Sequence, residues 1–415
     1  MRKSSPLASL HILILGAALT ALFAPPAFAA NCGKTAAGFE QWLQSFKQQA
    51  AAQGISQPVI AQALDGVSYD PAVIAKDRGQ SVFAQSFLQF SDRMVNGNRL
   101  QIGSSLLKKN ADTFARVQQK YGVPGPVLVG FWGLETDFGK VMGNMDTLRS
   151  LATLAFDCRR PDEFQAQLLD ALRVIQRGDL TPAEMRGPWA GEVGQFQFVP
   201  KVYFQYAVDF DGSGRRDLIS STPDALASAA NYLNGLGWKP GQPWLEEVRV
   251  PGDMDWSQAE LTIKKPRAYW AKAGVTYPGG KALPADTVPT ALLLPMGRNG
   301  PAFLAYPNFD VYLQWNQSLV YSTSAAYYAT RLAGAPAMSR GNAPLEPFTQ
   351  AQAKELQQLL AKRGFDVGKI DGVIGEGTRE AVRTLQIKLG LPADSYPTPE
   401  LIERLRGGTT SGANR

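Results

Sequence analysis

Eight apolar residues in a row, Val127 to Leu134, run straight into a carboxyl group, that of Glu135. A charge is rarely placed in such a run without a reason. Pro124 is suited to start a helix and Gly139 to end it, so the segment reads as one helix with Glu135 in its last turn. There the negative end of the helix dipole and the apolar neighbours both oppose ionisation, and a raised pKa is expected. A free glutamic acid near pKa 4.3 is only about 0.2% protonated at pH 7, whereas a value near 6 makes it roughly 10%. The position therefore suits a general acid. The plainer alternative is a helix-terminal glutamate paired with an arginine such as Arg159 or Arg160.

Around this segment, from about Thr35 to Arg177, the apolar spacing is mostly helical, as in Ile60 and Leu64, Phe83, Phe87 and Phe90, or Leu106, Phe114 and Val117. Pro71, Gly97-Asn98 and Pro124 divide it into helices of ordinary length. Between Glu246 and Tyr312 the pattern changes. Val248, Val250, Ala291 to Leu294, Phe303 to Tyr306 and Val311 read as short strands around turns such as Arg298-Asn299-Gly300. Helical spacing returns from Ser318 to Leu332, and a stretch rich in Ala, Pro, Gly and Ser follows from Gly334 to Leu345. The last piece has one helix face in Leu356, Leu359 and Leu360 and another in Val382, Leu385 and Leu389, with a glycine-punctuated loop that should end at Thr378 as an N-cap. The organisation expected is a leader over 1–30, a main unit over 31–335, a linker over 336–346, a small module over 347–407 and a frayed tail over 408–415.

The first thirty residues carry a basic start, Arg2 and Lys3, an apolar stretch from Leu10 to Phe23 and small residues Ala27 to Ala30, which together read as a cleaved export signal. Pro25 and Pro26 break the apolar stretch, so no stable membrane anchor is expected. Export to the periplasm would remove two of the 42 basic side chains and none of the 36 acidic ones, leaving a net charge of +4. That suits an anionic envelope polymer. Without a basic run or a basic stripe with interleaved aromatics, nucleic acid is not an expected partner. The two cysteines, Cys32 and Cys158, would be joined in an oxidising compartment; otherwise they are two small core residues. The single histidine, His11, lies in the leader. Ser-His-Asp and Cys-His nucleophile pairs are thereby excluded, and acid-base chemistry near neutral pH falls to carboxyl, Tyr, Lys or Cys groups.

The blocks Gly133-Leu-Glu135-Thr136-Asp-Phe138-Gly139, Ser150 to Phe156 with Arg159-Arg160, Gly191-Glu-Val-Gly194-Gln-Phe-Gln197-Phe198-Val-Pro200, Asp209-Phe-Asp211-Gly-Ser213-Gly214, Asn231-Tyr232 with Trp238, and Trp315-Asn316-Gln317-Ser318 stand in one order over Thr35 to Ala335. In that order they are similar to the lytic transglycosylases of the B family. Asp371-Gly372 and Thr378 to Gln386 resemble a three-helix peptidoglycan-binding module. The resemblance implies a mainly α (α+β) fold: a lysozyme-like helical catalytic domain with a small β insertion, plus the C-terminal module. It implies that Glu135 protonates the oxygen linking N-acetylmuramic acid to N-acetylglucosamine and then directs the 6-hydroxyl onto the anomeric carbon, forming a 1,6-anhydro sugar. No cofactor is required, and the partners implied are peptidoglycan strands and, beyond them, cell-wall synthases. Carried over by position, Gln197, Phe198, Tyr232, Trp315 and Asn316 would line the glycan groove, and Arg159 and Arg160 would face the peptide stem. Core packing is the alternative for Phe198 and Tyr232. Pro188, Phe90 and Trp315 depart from the family, each removing a hydroxyl.

Asp209, Asp211, Ser213, Arg215 and Asp217 follow the ligand spacing of an EF-hand, with glycine at the sixth place and Ser220 where a glutamate is usual. Asp224 could supply the missing carboxylate to a structural calcium; the alternative is a tight turn held by aspartates bonding to nearby backbone. Asp137 should point to another helix face than Glu135, whereas Glu192 could approach the cleft. Two other functions compete with the leading one. One is a lysozyme-like hydrolase using a second acid, and the other is a catalytically silent wall-binding scaffold.

Overall fold

The computed structural model describes residues 32–79, 85–342, 345 and 348–407. The leader and the tail expected from the sequence lie outside them. Helices α1 (Phe39–Ala52), α2 (Gln57–Leu64), α3 (Pro71–Arg78), α4 (Phe87–Met94), α5 (Gly97–Lys109) and α6 (Ala111–Tyr121) lead into α7 (Gly125–Thr136). Their starts are set locally. Asp70 accepts from the Ala72 amide ahead of Pro71, Ser86 and Gln89 form a capping box, and Asn96 accepts from Arg99.

Every residue of α7 except Pro126 and Glu135 is buried, so the helix must be wrapped on all sides. It packs against α14 (Leu319–Leu332) and α5, with α6 and α11 (Thr222–Gly235) closing the rest. Two glycines explain how close that packing is. A Cβ on Gly130 would lie 3.4 Å from the Ala325 carbonyl oxygen, and one on Gly133 only 2.9 Å from the Phe138 ring. Each glycine costs about 1 kcal/mol of helix propensity, which close packing offsets.

A two-stranded ribbon, β1 (Met145–Asp146) with β2 (Arg186–Gly187), brackets α8 (Thr147–Phe156) and α9 (Pro161–Gln176). Cys32 and Cys158 form a disulfide with Cα atoms 4.9 Å apart, tying the segment before α1 to the turn between α8 and α9. Closing 126 residues stabilises the fold by about 4–5 kcal/mol in the chain-entropy picture. After α10 (Pro200–Tyr206) and α11, an antiparallel sheet forms in the order β3 (Leu245–Val248), β6 (Ala302–Ala305), β5 (Pro289–Leu293), β4 (Lys265–Pro266). With α12 (Arg267–Lys272) it builds its own core around Trp256, Trp270 and Tyr306. Two expected strand residues fall elsewhere. Val250 lies beyond β3, and Val311 sits inside α13 (Pro307–Trp315), because Pro307 at the first helical position starts a helix directly after β6.

The C-terminal module is three helices, α15 (Gln350–Ala361), α16 (Glu376–Lys388) and α17 (Pro399–Arg406), around Leu356, Leu360, Val382, Leu385, Leu401 and Leu405. Gly375, not Thr378, caps α16. Thr378 is buried one turn later, where its hydroxyl accepts from Gln357 and donates to the Val367 carbonyl. The module is docked. Arg379 donates to the Leu294 carbonyl (3.1 Å), Arg383 to Ser257 (2.9 Å) and Ser395 to Glu260 (2.7 Å), and Arg298 pairs with Asp394 (3.1 Å). The preceding segment also packs back, through Ser339 to Glu247 and Arg340 to Asp92.

Candidate active site

Helix α7 stops at Thr136, three residues before the glycine that the sequence suggested as its end. Asp137 (φ 49°), Phe138 (φ 64°) and Gly139 (φ 83°) are all left-handed. For the two non-glycine residues this conformation costs about 1–2 kcal/mol each. Local bonds hold it: Thr136 donates to the Gln195 carbonyl (2.7 Å) and accepts from the Gly139 amide (2.8 Å). Asp137 is taken by Arg99 at 3.2 Å.

Glu135, half-buried in the last turn, accepts two hydrogen bonds on Oε1, from the Trp315 indole at 2.9 Å and the Tyr321 hydroxyl at 2.5 Å. Burial pushes its carboxyl above the usual range, the two donors oppose that, and the charge of Glu192 adds to it. The net effect is a raised pKa, the state a general acid needs. Tyr321 was not singled out in the sequence. It lies 186 residues from Glu135, and its position in the first turn of α14 carries no local mark of the contact.

Trp315 is itself held by aromatic contacts. Its ring stacks on Phe131 at 4.4 Å and meets Tyr232 at 5.4 Å and Phe198 at 5.7 Å. Phe198 is only 3% exposed, so the expectation that it offers a face to sugar is corrected: Phe196, Tyr232 and Trp315 enclose it, and it supports the indole from behind. Tyr232 and Trp315 stay partly open. Gln197 has a left-handed backbone (φ 52°) and donates to the Gly194 carbonyl at 2.8 Å. Asn316 ends α13 and accepts from the Ser318 amide.

Arg159 and Arg160 converge on buried Asp77, at 2.8 and 2.9 Å. Burial pushes the Asp77 carboxyl up, but the two guanidinium groups outweigh it and hold it below the usual range. Neither arginine pairs with Glu135. Glu192, raised chiefly by burial, feels the charge of Arg160, and its Oε2 has no hydrogen-bond partner among the described residues.

In the acidic loop, carboxylate oxygens of Asp209, Asp211 and Asp224 all lie within 4.8 Å of one another. They are also satisfied by protein. Asp209 accepts from the amides of Gly212, Ser213 and Gly214, and Asp224, wholly buried, from those of Phe210, Asp211 and Asp217. Ser213 donates to the Arg215 carbonyl, while Asp217 is drawn to the Arg215 side chain at 2.7 Å.

Residues 38–330 match the family described as the transglycosylase SLT domain. The chain belongs to this family. Residues 349–405 match a peptidoglycan binding domain. Among curated relatives of this SLT protein, the membrane-bound lytic murein transglycosylase B of Escherichia coli is 31% identical over 242 residues, which is 57% of this chain and 64% of that protein. SltB3 from Pseudomonas aeruginosa, solved with NAG-NAM-pentapeptide, superposes with a TM-score of 0.83 at 44% identity, covering 90% of this chain and all of that one. An Escherichia coli lytic transglycosylase solved with calcium gives a TM-score of 0.59 at 27% identity, covering 70% of this chain and 92% of that one. The SLT fold is thus mainly helical, lysozyme-like and joined to a helical peptidoglycan-binding module.

Proposed function

We propose that this protein is a lytic transglycosylase that cleaves the β-1,4 bond between N-acetylmuramic acid and N-acetylglucosamine without consuming water. The observation that carries the reading is Glu135, a carboxyl whose pKa burial raises, at the open end of an otherwise buried helix and aimed by Trp315 and Tyr321. In the first step Glu135 gives its proton to the bridging oxygen as the C1–O bond breaks, and N-acetylglucosamine leaves with a hydroxyl. The substrate's acetamido oxygen supports the positive charge at C1. In the second step the Glu135 carboxylate takes the proton of the 6-hydroxyl as the C1–O6 bond forms, which restores the acid. Holding that hydroxyl beside C1 is worth several kcal/mol of barrier. Tyr232, Trp315, Gln197 and Asn316 would orient the strand, with Arg159 and Arg160 facing the peptide side.

Digestion of purified sacculi followed by mass spectrometry tests this. Anhydro-muropeptides, lighter by one water than reducing ones, are the expected product, and reducing ends alone would exclude the transglycosylase. A hydrolytic reading would need a second acid such as Glu192, whose Oε2 is buried and has no hydrogen-bond partner among the described residues. That oxygen is closed off from solvent, so no water is positioned for attack there and the lytic reading is preferred. The silent scaffold is tested by Glu135→Gln, which it requires to be neutral in the cell.

The loop also fits calcium. Asp209, Asp211 and Asp224 with the Ser213 hydroxyl and the Arg215 carbonyl make an all-oxygen set. Such an ion would offset two of the three negative charges of the crowded carboxylates and stiffen the loop that leads into α11. We propose a periplasmic location, because the leader sequence and the disulfide fit an oxidising compartment. Residues 31–335 serve as catalytic unit and 347–407 as wall-binding unit.

A further inference from the structure

A cleft of about 450 Å³ runs between the catalytic domain and the docked C-terminal module. It begins at Asn316 and Tyr321, and the Tyr321 hydroxyl is the one bonded to Glu135. Phe87, Phe90 and Leu319 form one wall. The module supplies the other, with Ile374, Tyr396 and Arg379. Its charge is one-sided: Arg93 and Arg379 line it, and among the described residues no carboxylate does.

Arg379 is the unusual member. It is 3% exposed, one of its terminal nitrogens is bonded to the Leu294 carbonyl, and its Nε has no hydrogen-bond partner among the described residues. No acid pairs with it there either. Asp394, the buried acid of the same module, is engaged by Arg298 and Gln386. A buried guanidinium with an idle donor and no counter-charge is costly unless an anion meets it.

We infer that this cleft seats the carboxylate-ended peptide branching from a muramic acid of the bound strand, with Arg379 taking the terminal carboxylate. The aromatic and aliphatic walls suit the small apolar side chains of such a peptide, and Arg93, placed 5.3 Å over the Phe90 ring, adds a second positive charge to the lining. The inference rests on the peptidoglycan reading above and deepens it. The module is then one half of a substrate site, and selects strands that still carry peptides, where a flexible tether would only raise local concentration.

The test compares two glycan oligosaccharides of equal length, one bare and one bearing pentapeptides, on the full protein and on Arg379→Gln. Glutamine keeps a donor for the Leu294 carbonyl and removes the charge. The expected result is a preference of the wild type for the peptide-bearing chain. The variant should lose about tenfold in kcat/KM on that chain, through KM, and nothing on the bare one. Amidating the peptide's terminal carboxylate should reproduce the loss in the wild type and add none in the variant. Ile374→Glu, which puts a negative charge at the half-buried wall without touching α7 or α14, should give the same selective loss. Equal losses on both chains, or no loss on either, would overturn the inference. Cleavage of the bare chain by the wild type establishes the lytic activity separately, so the cleft can fail while that activity stands.

Discussion

Glu135 and Asp211 of the 209–224 loop are both acids with close polar neighbours, yet their surroundings push them in opposite directions. Glu135 ends a helix of apolar side chains and receives two donors, both on one oxygen, so burial dominates and its pKa rises. Asp211 in the exposed loop receives the Ser221 hydroxyl and the Ser213 amide, and its pKa falls. The sign is set by how many donors a carboxylate gains for the water it loses. One region raises the pKa of the carboxyl that the proposed chemistry uses as an acid. The other stores negative charge for structure.

The strongest way to break this contrast is to remove the ionisable group at Glu135. Glu135→Gln should lower turnover by about 10³-fold or more, measured as anhydro-muropeptide release, because general acid catalysis contributes roughly 10²–10⁴. Stability should move the other way. A carboxyl whose folded pKa lies above its unfolded one makes the folded state bind more protons, so stability is lost as pH rises through that window. Glutamine cannot ionise. The variant should therefore melt above the wild type at pH 7 and level with it at a pH below the unfolded value. A lower melting point at pH 7 would mean the carboxylate is stabilised where it sits.

The matching change in the loop is Asp224→Ala, which strands three amide donors, those of Phe210, Asp211 and Asp217, at a fully buried position. A loss of about 3 kcal/mol in urea unfolding is expected. A loss below about 1 kcal/mol would show that water replaces the carboxylate easily.

Taking one donor from Glu135 sharpens the contrast more gently. Tyr321→Phe removes a hydrogen bond that lowers the carboxyl's pKa, so the alkaline limb of the pH–rate profile should shift to higher pH, with kcat falling about tenfold at most. A shift to lower pH would show that the hydroxyl instead supports the protonated form.

The two regions also differ in how far they could be read from sequence. The loop's convergence is local: Asp209, Asp211 and Asp224 span sixteen positions, and glycines at fixed offsets mark the turn. The apolar run announced α7 and the general character of Glu135. The groups that aim it could not be read that way, because Trp315 and Tyr321 arrive from 180 and 186 residues away on α13 and α14. The same limit explains Phe198, whose burial depends on Tyr232 and Trp315 meeting over it, and Val311, where Pro307 outweighed strand propensity. The docking of the module was hidden for a different reason. Arg379, Arg383 and Asp394 are polar residues of a kind that normally reads as surface, and only the assembled fold buries Arg379 and Asp394 against a partner domain.

The smallest effect separates the two explanations of the loop. If three neighbouring carboxylates were fully satisfied by amides, calcium would change nothing, and Asp211→Asn would be neutral or slightly stabilising through reduced repulsion. If the cluster takes the ion, calcium at about ten times its dissociation constant should stabilise the protein by about 1.4 kcal/mol, a rise of about 2 °C in melting temperature. Chelator should reverse the rise, magnesium should not reproduce it, and Asp211→Asn should abolish it. With Ser220 in place of the usual glutamate the site lacks its bidentate ligand, so the midpoint should fall at millimolar calcium. Because the loop leads into α11, which packs on α7, the ion should steady the groove without altering the pH profile set by Glu135. A calcium-dependent shift of that profile would mean the two regions are coupled after all.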